Sequence, residues 1–157
     1  LITNYSKKFP KVLEGEVPQN TNGFESIINM CAKVLGINSS KEFEDMALNT
    51  SMTSGIQIDM KLVNLDGINY LDYRKVVQSI MAYKMADVDN ITLIYSFYES
   101  LSEFICNYVN EIAKEINVKD IVLCGNMFAN SILFTKTKKT LSKTYNIILP
   151  KEYPLDY

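Results

Sequence analysis

The sequence predicts an α/β domain rich in helix, with one strand–helix–strand unit near its C-terminus. Two observations carry that reading. Between Phe24 and Ile116, apolar residues recur at three- and four-residue spacing over several stretches, which is helical patterning. Nearer the C-terminus, Ile121 to Cys124 is a short, wholly apolar run that stops at Gly125, and Tyr145 to Leu149 is a second strand ended by Pro150. Both read as buried parallel strands. The stretch between them, Asn130 to Thr144, has Ile132, Leu133 and Leu141 as its apolar positions and lysines in its second half. It reads as an amphipathic crossover helix with positive charge near its C-terminal end. In open α/β sheets ligands sit beyond the C-terminal ends of the strands, so Gly125 and Asn126 are the first candidates for binding one.

The remaining elements follow in chain order. Leu1 to Asn20 is polar and carries Pro10, Gly15 and Pro18, so it reads as a lead-in or linker rather than a core element. Phe24, Ile27, Ile28, Cys31, Val34 and Leu35 then mark a helix that Gly36 terminates. Ser39, with Glu42 three residues on, forms a capping-box pattern for a second helix from Lys41 to about Met52. Glu44 sits early in it, where a carboxylate favours the helix dipole.

Ile56 to Leu62 alternates apolar and polar residues and reads as a half-buried strand, followed by turn chemistry at Asn64 to Gly67. Tyr73 to Lys84 reads as a helix capped by Asp72, and Ile91 to about Ile116 as a long one. The aromatic and methionine side chains of these helices read as core. The lysine cluster Lys136 to Lys139 reads as a solvated helix end.

Composition excludes several functions. The 157 residues suit one domain, and a formal net charge of −2 lacks the basic footprint of a nucleic-acid binder. No apolar run is long enough to cross a bilayer and no signal peptide is evident, which suits a cytoplasmic protein. Cys31, Cys106 and Cys124 lie far apart in apolar contexts and read as buried, reduced thiols. Histidine is absent, which removes Ser-His-Asp and Cys-His catalysis from this chain, along with the commonest transition-metal ligand.

Five blocks, in order, resemble the C-terminal part of the HypF-type carbamoyltransferases of hydrogenase maturation. Glu25 to Gly36 is similar to the family's Gly-Arg-Leu-Phe-Asp-Ala-Val-Ala-Ala-Leu-Leu-Gly helix. Phe43-Glu44-Asp45-Met46-Ala47 resembles Tyr-Glu-Gly-Gln-Ala, and Phe97-Tyr98-Glu99-Ser100-Leu101 resembles Phe-His-Asn-Thr-Leu. Gly125-Asn126-Met127-Phe128-Ala129-Asn130 resembles Gly-Gly-Val-Phe-Gln-Asn, and Tyr153-Pro154-Leu155-Asp156 resembles the Pro-Pro-Asn-Asp before a diglycine. The resemblance spans Thr21 to Asp156.

It implies half of an actin-like ATPase (RNase H-like) domain over residues 21–157, ending before the Asp-Gly-Gly loop. It also implies that ATP with Mg and a carbamoyl adenylate derived from carbamoyl phosphate bind there, and that carbamoyl passes to the C-terminal cysteine of a HypE-like partner. By the same resemblance Gly125 and Asn126 approach the nucleotide, Asn130 fixes the following helix and Glu44 faces the ribose or phosphates. Asp156 is a ligand of a divalent metal completed by residues outside this chain.

The family's second glycine is Asn126 here, its arginine Ser26, its first-helix aspartate Asn29 and its histidine Tyr98. These departures leave open an inactive scaffold or interaction domain that keeps the fold, and a kinase-like or other ATPase half of the same superfold. A half-domain without its partner layer exposes apolar surface, so self-association is expected.

Overall fold

The computed structural model describes residues 1–12 and 23–150. They fall into two units, Leu1–Phe97 and the part from Tyr98 onward. The chain is α/β and helix-rich.

The first unit begins with α1 (Ile2–Lys8), where a lead-in was expected. Its Tyr5 is fully buried and donates its hydroxyl to the Val34 carbonyl at 2.6 Å. Polar composition concealed this, because a single buried aromatic ring, Tyr5, seats the short helix. The rest of the expected linker, from residue 13, lies outside the described residues.

Helix α2 (Phe24–Leu35) buries Ile27, Ile28, Cys31, Ala32, Val34 and Leu35 and packs against α3 (Ser40–Leu48) and α4 (Tyr73–Met85). It ends as its sequence predicts, with Gly36 in the left-handed region at φ 71°. All four of its last carbonyls are satisfied. The Gly36 amide donates to Lys33 and the Ile37 amide to Ala32, a Schellman closure. The Tyr5 hydroxyl takes the Val34 carbonyl and the Asn90 amide side chain takes that of Leu35.

The Glu42 amide donates to Ser39 Oγ at 3.1 Å, as the capping box predicts, but the Glu42 carboxylate reaches back to the Asn38 amide. Helix α3 stops at Leu48, short of Met52, because Asn49 turns back to cap it through the Asp45 carbonyl.

The strand expected over Ile56 to Leu62 does not form before Leu62. β1 is Leu62–Leu65, and the preceding stretch has its backbone donors taken by side chains. The Ile56 amide donates to Ser96 Oγ and the Asp59 amide to Ser79 Oγ, while Ile58 is fully buried. Alternation here records burial without a ladder. β1 pairs antiparallel with β2 (Ile68–Leu71), which the sequence reading missed. The two-residue turn between them, Asp66-Gly67, has φ of 52° and 82°, the positive values that a tight hairpin requires. Asp72 caps α4 through the Arg74 amide, as predicted.

Helix α5 (Asn90–Ile116) runs from the first unit into the second. From Leu93 to Tyr98 it is buried at every position, Ser96 included, as expected of a core helix. Phe97 meets Phe43 edge to face, with centroids 5.6 Å apart.

In the second unit, β3 (Asp120–Val122) and β4 (Asn146–Ile148) pair in parallel, with Ile121 opposite Ile147, and α6 (Ser131–Leu141) connects them. The predicted βαβ unit is therefore present. Its bounds are shorter than predicted, and α6 begins after Asn130 and ends before Thr144. One face of the strand pair joins a core of Cys106, Leu123 and Leu141 with Val109, Phe134 and Tyr145 around it. The other face is open: Val122 is 56% and Ile148 42% exposed, so these are not the fully buried strands their apolar runs suggested.

The lysine cluster on α6 is not wholly solvated either. Lys136 forms a part-buried ion pair with Glu99 at 2.5 Å, and Thr137 is buried, donating to Ser102 Oγ at 3.0 Å. Cys124 is exposed, against the expectation of three buried thiols, because it lies past the end of β3.

Candidate functional site

The turn from β3 into α6 is where the sequence places a ligand, and its geometry is unusual. After Leu123, whose amide donates to the Ile148 carbonyl, the chain passes Cys124 and reaches Gly125 at φ 108° and ψ 150°. Only glycine occupies this region without strain, so the apolar run of β3 ends here for a backbone reason. Asn126–Ala129 then forms one 3₁₀ turn, closed by the Phe128 amide on the Gly125 carbonyl at 3.0 Å. Phe128 packs against the Cys106–Leu123–Leu141 core and fixes the turn from below. The Asn126 side chain is exposed and its backbone does not have a positive φ. The second glycine of the family pattern is thus replaced here without backbone strain.

Asn130 is the N-cap of α6. Its Oδ1 accepts from the amides of Ile132 and Leu133, both at 3.1 Å. That pair of bonds fixes which end of the amide is oxygen, so Nδ2 is the opposite end. Nδ2 is buried and has no partner among the described residues. A buried unsatisfied donor costs about 1–3 kcal/mol, which makes this the most conspicuous polar group of the turn. Two of the first amides of α6 are already used by Asn130, so the helix start offers less to a phosphate than its sequence suggested.

Glu44 is half-buried on α3, in the first unit. Asp156 lies outside the described residues. Among the described residues no group of three or more His, Cys, Asp and Glu side chains is placed to hold a metal ion. Among them also, no helix is long and apolar enough to cross a membrane. What the sequence reading missed is the unpaired donor of Asn130. Its cap role has a sequence signal, an Asn before an amphipathic run, but the isolation of its nitrogen has none.

The chain matches the family described as "Carbamoyltransferase, Kae1-like Domain, second subdomain" over residues 21–156. It belongs to the HypF-type carbamoyltransferase family, in the C-terminal part of that protein type. Among curated relatives, Protein HydE of Wolinella succinogenes is 23% identical, over all of this chain and 31% of its own length. The fold is similar to that of full-length HypF, solved in a phosphate- and nucleotide-bound form, with a TM-score of 0.75 and 17% identity. That likeness covers 85% of this chain and 18% of the solved one, so the chain spans less than a third of either relative.

Proposed function

We propose that this chain supplies one wall of the nucleotide site of a HypF-type carbamoyltransferase in nickel–iron hydrogenase maturation. In this reading it is half of an actin-like ATPase domain acting in the cytoplasm. ATP with Mg and a carbamoyl adenylate lie against the Gly125–Asn130 turn, and carbamoyl passes to the terminal cysteine of a HypE-like partner. Glu44 and Asp156 complete the nucleotide and metal contacts together with residues outside this chain.

The observation that carries this reading is the turn itself. A glycine-only backbone and an unsatisfied buried amide donor occur together at the C-terminal end of a parallel strand. Such a donor accommodates an acceptor atom, as a ribose, phosphate or carbamoyl oxygen offers.

Calorimetric titration with Mg-ATP tests the proposal, with Gly125→Trp as control. Saturable binding that the variant loses supports it. No heat at high micromolar ATP from the folded chain overturns it and favours the second reading, a scaffold that keeps the fold without catalysis. The exposed Asn126 at the glycine position is the observation behind that second reading.

A further inference from the structure

The buried side of α6 is Leu133, Thr137 and Leu141, at four-residue spacing. Its central residue is polar. The Thr137 hydroxyl donates to Ser102 Oγ at 3.0 Å, and the Cys106 thiol donates to the Thr137 carbonyl at 3.9 Å. Beside it, Lys136 Nζ lies 2.5 Å from Glu99 Oε1, with the two side chains only 29% and 17% exposed. Glu99, Ser102 and Cys106 are spaced three and four residues apart, so they form one face of α5. Each of these links therefore joins that face to the middle of α6.

A wholly apolar contact lets one helix slide over another at little cost, because the attraction has no direction. Hydrogen bonds and a partly desolvated ion pair are met at one register, and a slipped register separates their partners. Register matters at the start of the same helix. Asn130, the N-cap of α6, is less than two turns before Lys136. The 3₁₀ turn Asn126–Ala129 leads into that cap and packs against α6. The other end of the turn is anchored separately, by the Leu123 amide on the Ile148 carbonyl. The position of α6 along α5 thus sets how the turn sits on β3.

We propose that Glu99 and Lys136 are positioning residues for the Gly125–Asn130 turn. Their ion pair fixes the register of α6 on α5 and so holds the turn in the shape that receives the ligand. The part of this inference that concerns a ligand rests on the nucleotide reading above; the holding of the turn does not. Glu99 stands where the quoted family block has a neutral asparagine, so that block does not carry the pair.

Lys136→Met keeps an aliphatic stem and removes the charge. Amide hydrogen exchange is recorded on the full chain without nucleotide, at two amides. That of Phe128 closes the turn on the Gly125 carbonyl, and that of Tyr145 bonds to the Leu141 carbonyl at the far end of α6. In the variant, Phe128 is expected to exchange about tenfold faster, with Tyr145 within about twofold of the parent. The reversed pair, Glu99→Lys with Lys136→Glu, is expected to bring Phe128 back to within about twofold, a rescue that lost packing alone does not give. Glu99→Gln with Lys136→Gln, which restores a neutral hydrogen bond across the same gap, takes its place should the reversed pair fail to fold.

Equal acceleration at both amides assigns the pair a general stabilising role and overturns the proposal. Unchanged Phe128 exchange in folded Lys136→Met overturns it too, as does a folded paired variant that restores nothing. Calorimetric titration of the same proteins with Mg-ATP keeps the two readings apart. Affinity is expected to fall about threefold or more in Lys136→Met and to return in the paired variant. Unchanged affinity despite a loosened turn overturns the role toward the ligand. A folded parent that binds no Mg-ATP overturns the nucleotide reading, and the exchange result then still decides whether the pair holds the turn.

Discussion

The Tyr5 hydroxyl donates to the Val34 carbonyl at 2.6 Å, closing one of the four orphan carbonyls at the end of α2. Burial pushes the phenol pKa up to about 12, so the donor stays protonated at all ordinary pH. Tyr5→Phe keeps the ring and leaves a carbonyl without this partner. A loss of about 1–3 kcal/mol is expected in denaturant unfolding, read as a lower midpoint with an unchanged slope. Wild-type stability in the variant would mean that α1 does not tie down the end of α2.

Asn130 separates a structural from a binding role. Asn130→Ala removes the cap of α6 and is expected to cost about 1 kcal/mol in thermal or denaturant unfolding. Asn130→Asp keeps a capping oxygen, and its charge is favourable at a helix start, but it replaces the unpaired donor with an acceptor. The aspartate variant is expected to fold and yet to bind Mg-ATP about tenfold more weakly, which corresponds to one lost hydrogen bond of about 1.4 kcal/mol. Unchanged affinity in the folded aspartate variant would remove Nδ2 from the site.

Asp89 makes stability depend on acid. Its carboxylate accepts from the Thr92 amide at 2.9 Å and the Thr92 hydroxyl at 2.7 Å at the start of α5, and these bonds hold its pKa below the usual range. At Asp72, burial works the other way, but hydrogen bonds and charge from Arg74 outweigh it and that pKa is lowered as well. A lowered folded-state pKa contributes stability above the unfolded value of about 3.9, and the contribution is lost as pH falls through the folded value. Urea midpoints measured downward from about pH 5 should therefore fall, and should fall less steeply in Asp89→Asn, which retains a capping oxygen but carries no charge. An identical acid slope in the variant would contradict this.

The three thiols should differ in reactivity. Cys124 is exposed, whereas Cys31 and Cys106 are buried and burial raises the pKa of both. A thiol-specific reagent at neutral pH is expected to modify Cys124 quickly in the native protein and all three cysteines in denaturant. Two fast thiols in the native state would contradict the packing around α2 or α5.

Local rules decided much of this fold, and they were legible wherever the hydrogen bonds concerned lie within a few residues. Gly36 ends α2, Ser39 and Asp72 cap the helices that follow them, Gly125 turns the chain out of β3, and the long stripe of α5 is where its periodicity places it. The order of short motifs from Thr21 to Asp156 was equally readable, and the family match confirms it over residues 21–156.

What the sequence alone did not decide depends on groups that arrive from far along the chain. Ile56 to Leu62 alternates like a strand, but Ser96 and Ser79, 40 and 20 residues away from their partners, satisfy its amides before a ladder can. Tyr5 makes a polar lead-in part of the core only because the Val34 carbonyl stands opposite it. The apolar runs of β3 and β4 specify strands, yet which of their faces is covered is set by where α5 and α6 place Cys106 and Leu141. The Nδ2 of Asn130 is left unpaired for the same reason: its oxygen is claimed by amides two and three residues away, and its nitrogen depends on what the folded chain brings near. Backbone geometry and periodicity are written locally, whereas burial and hydrogen-bond satisfaction are settled only when distant segments meet.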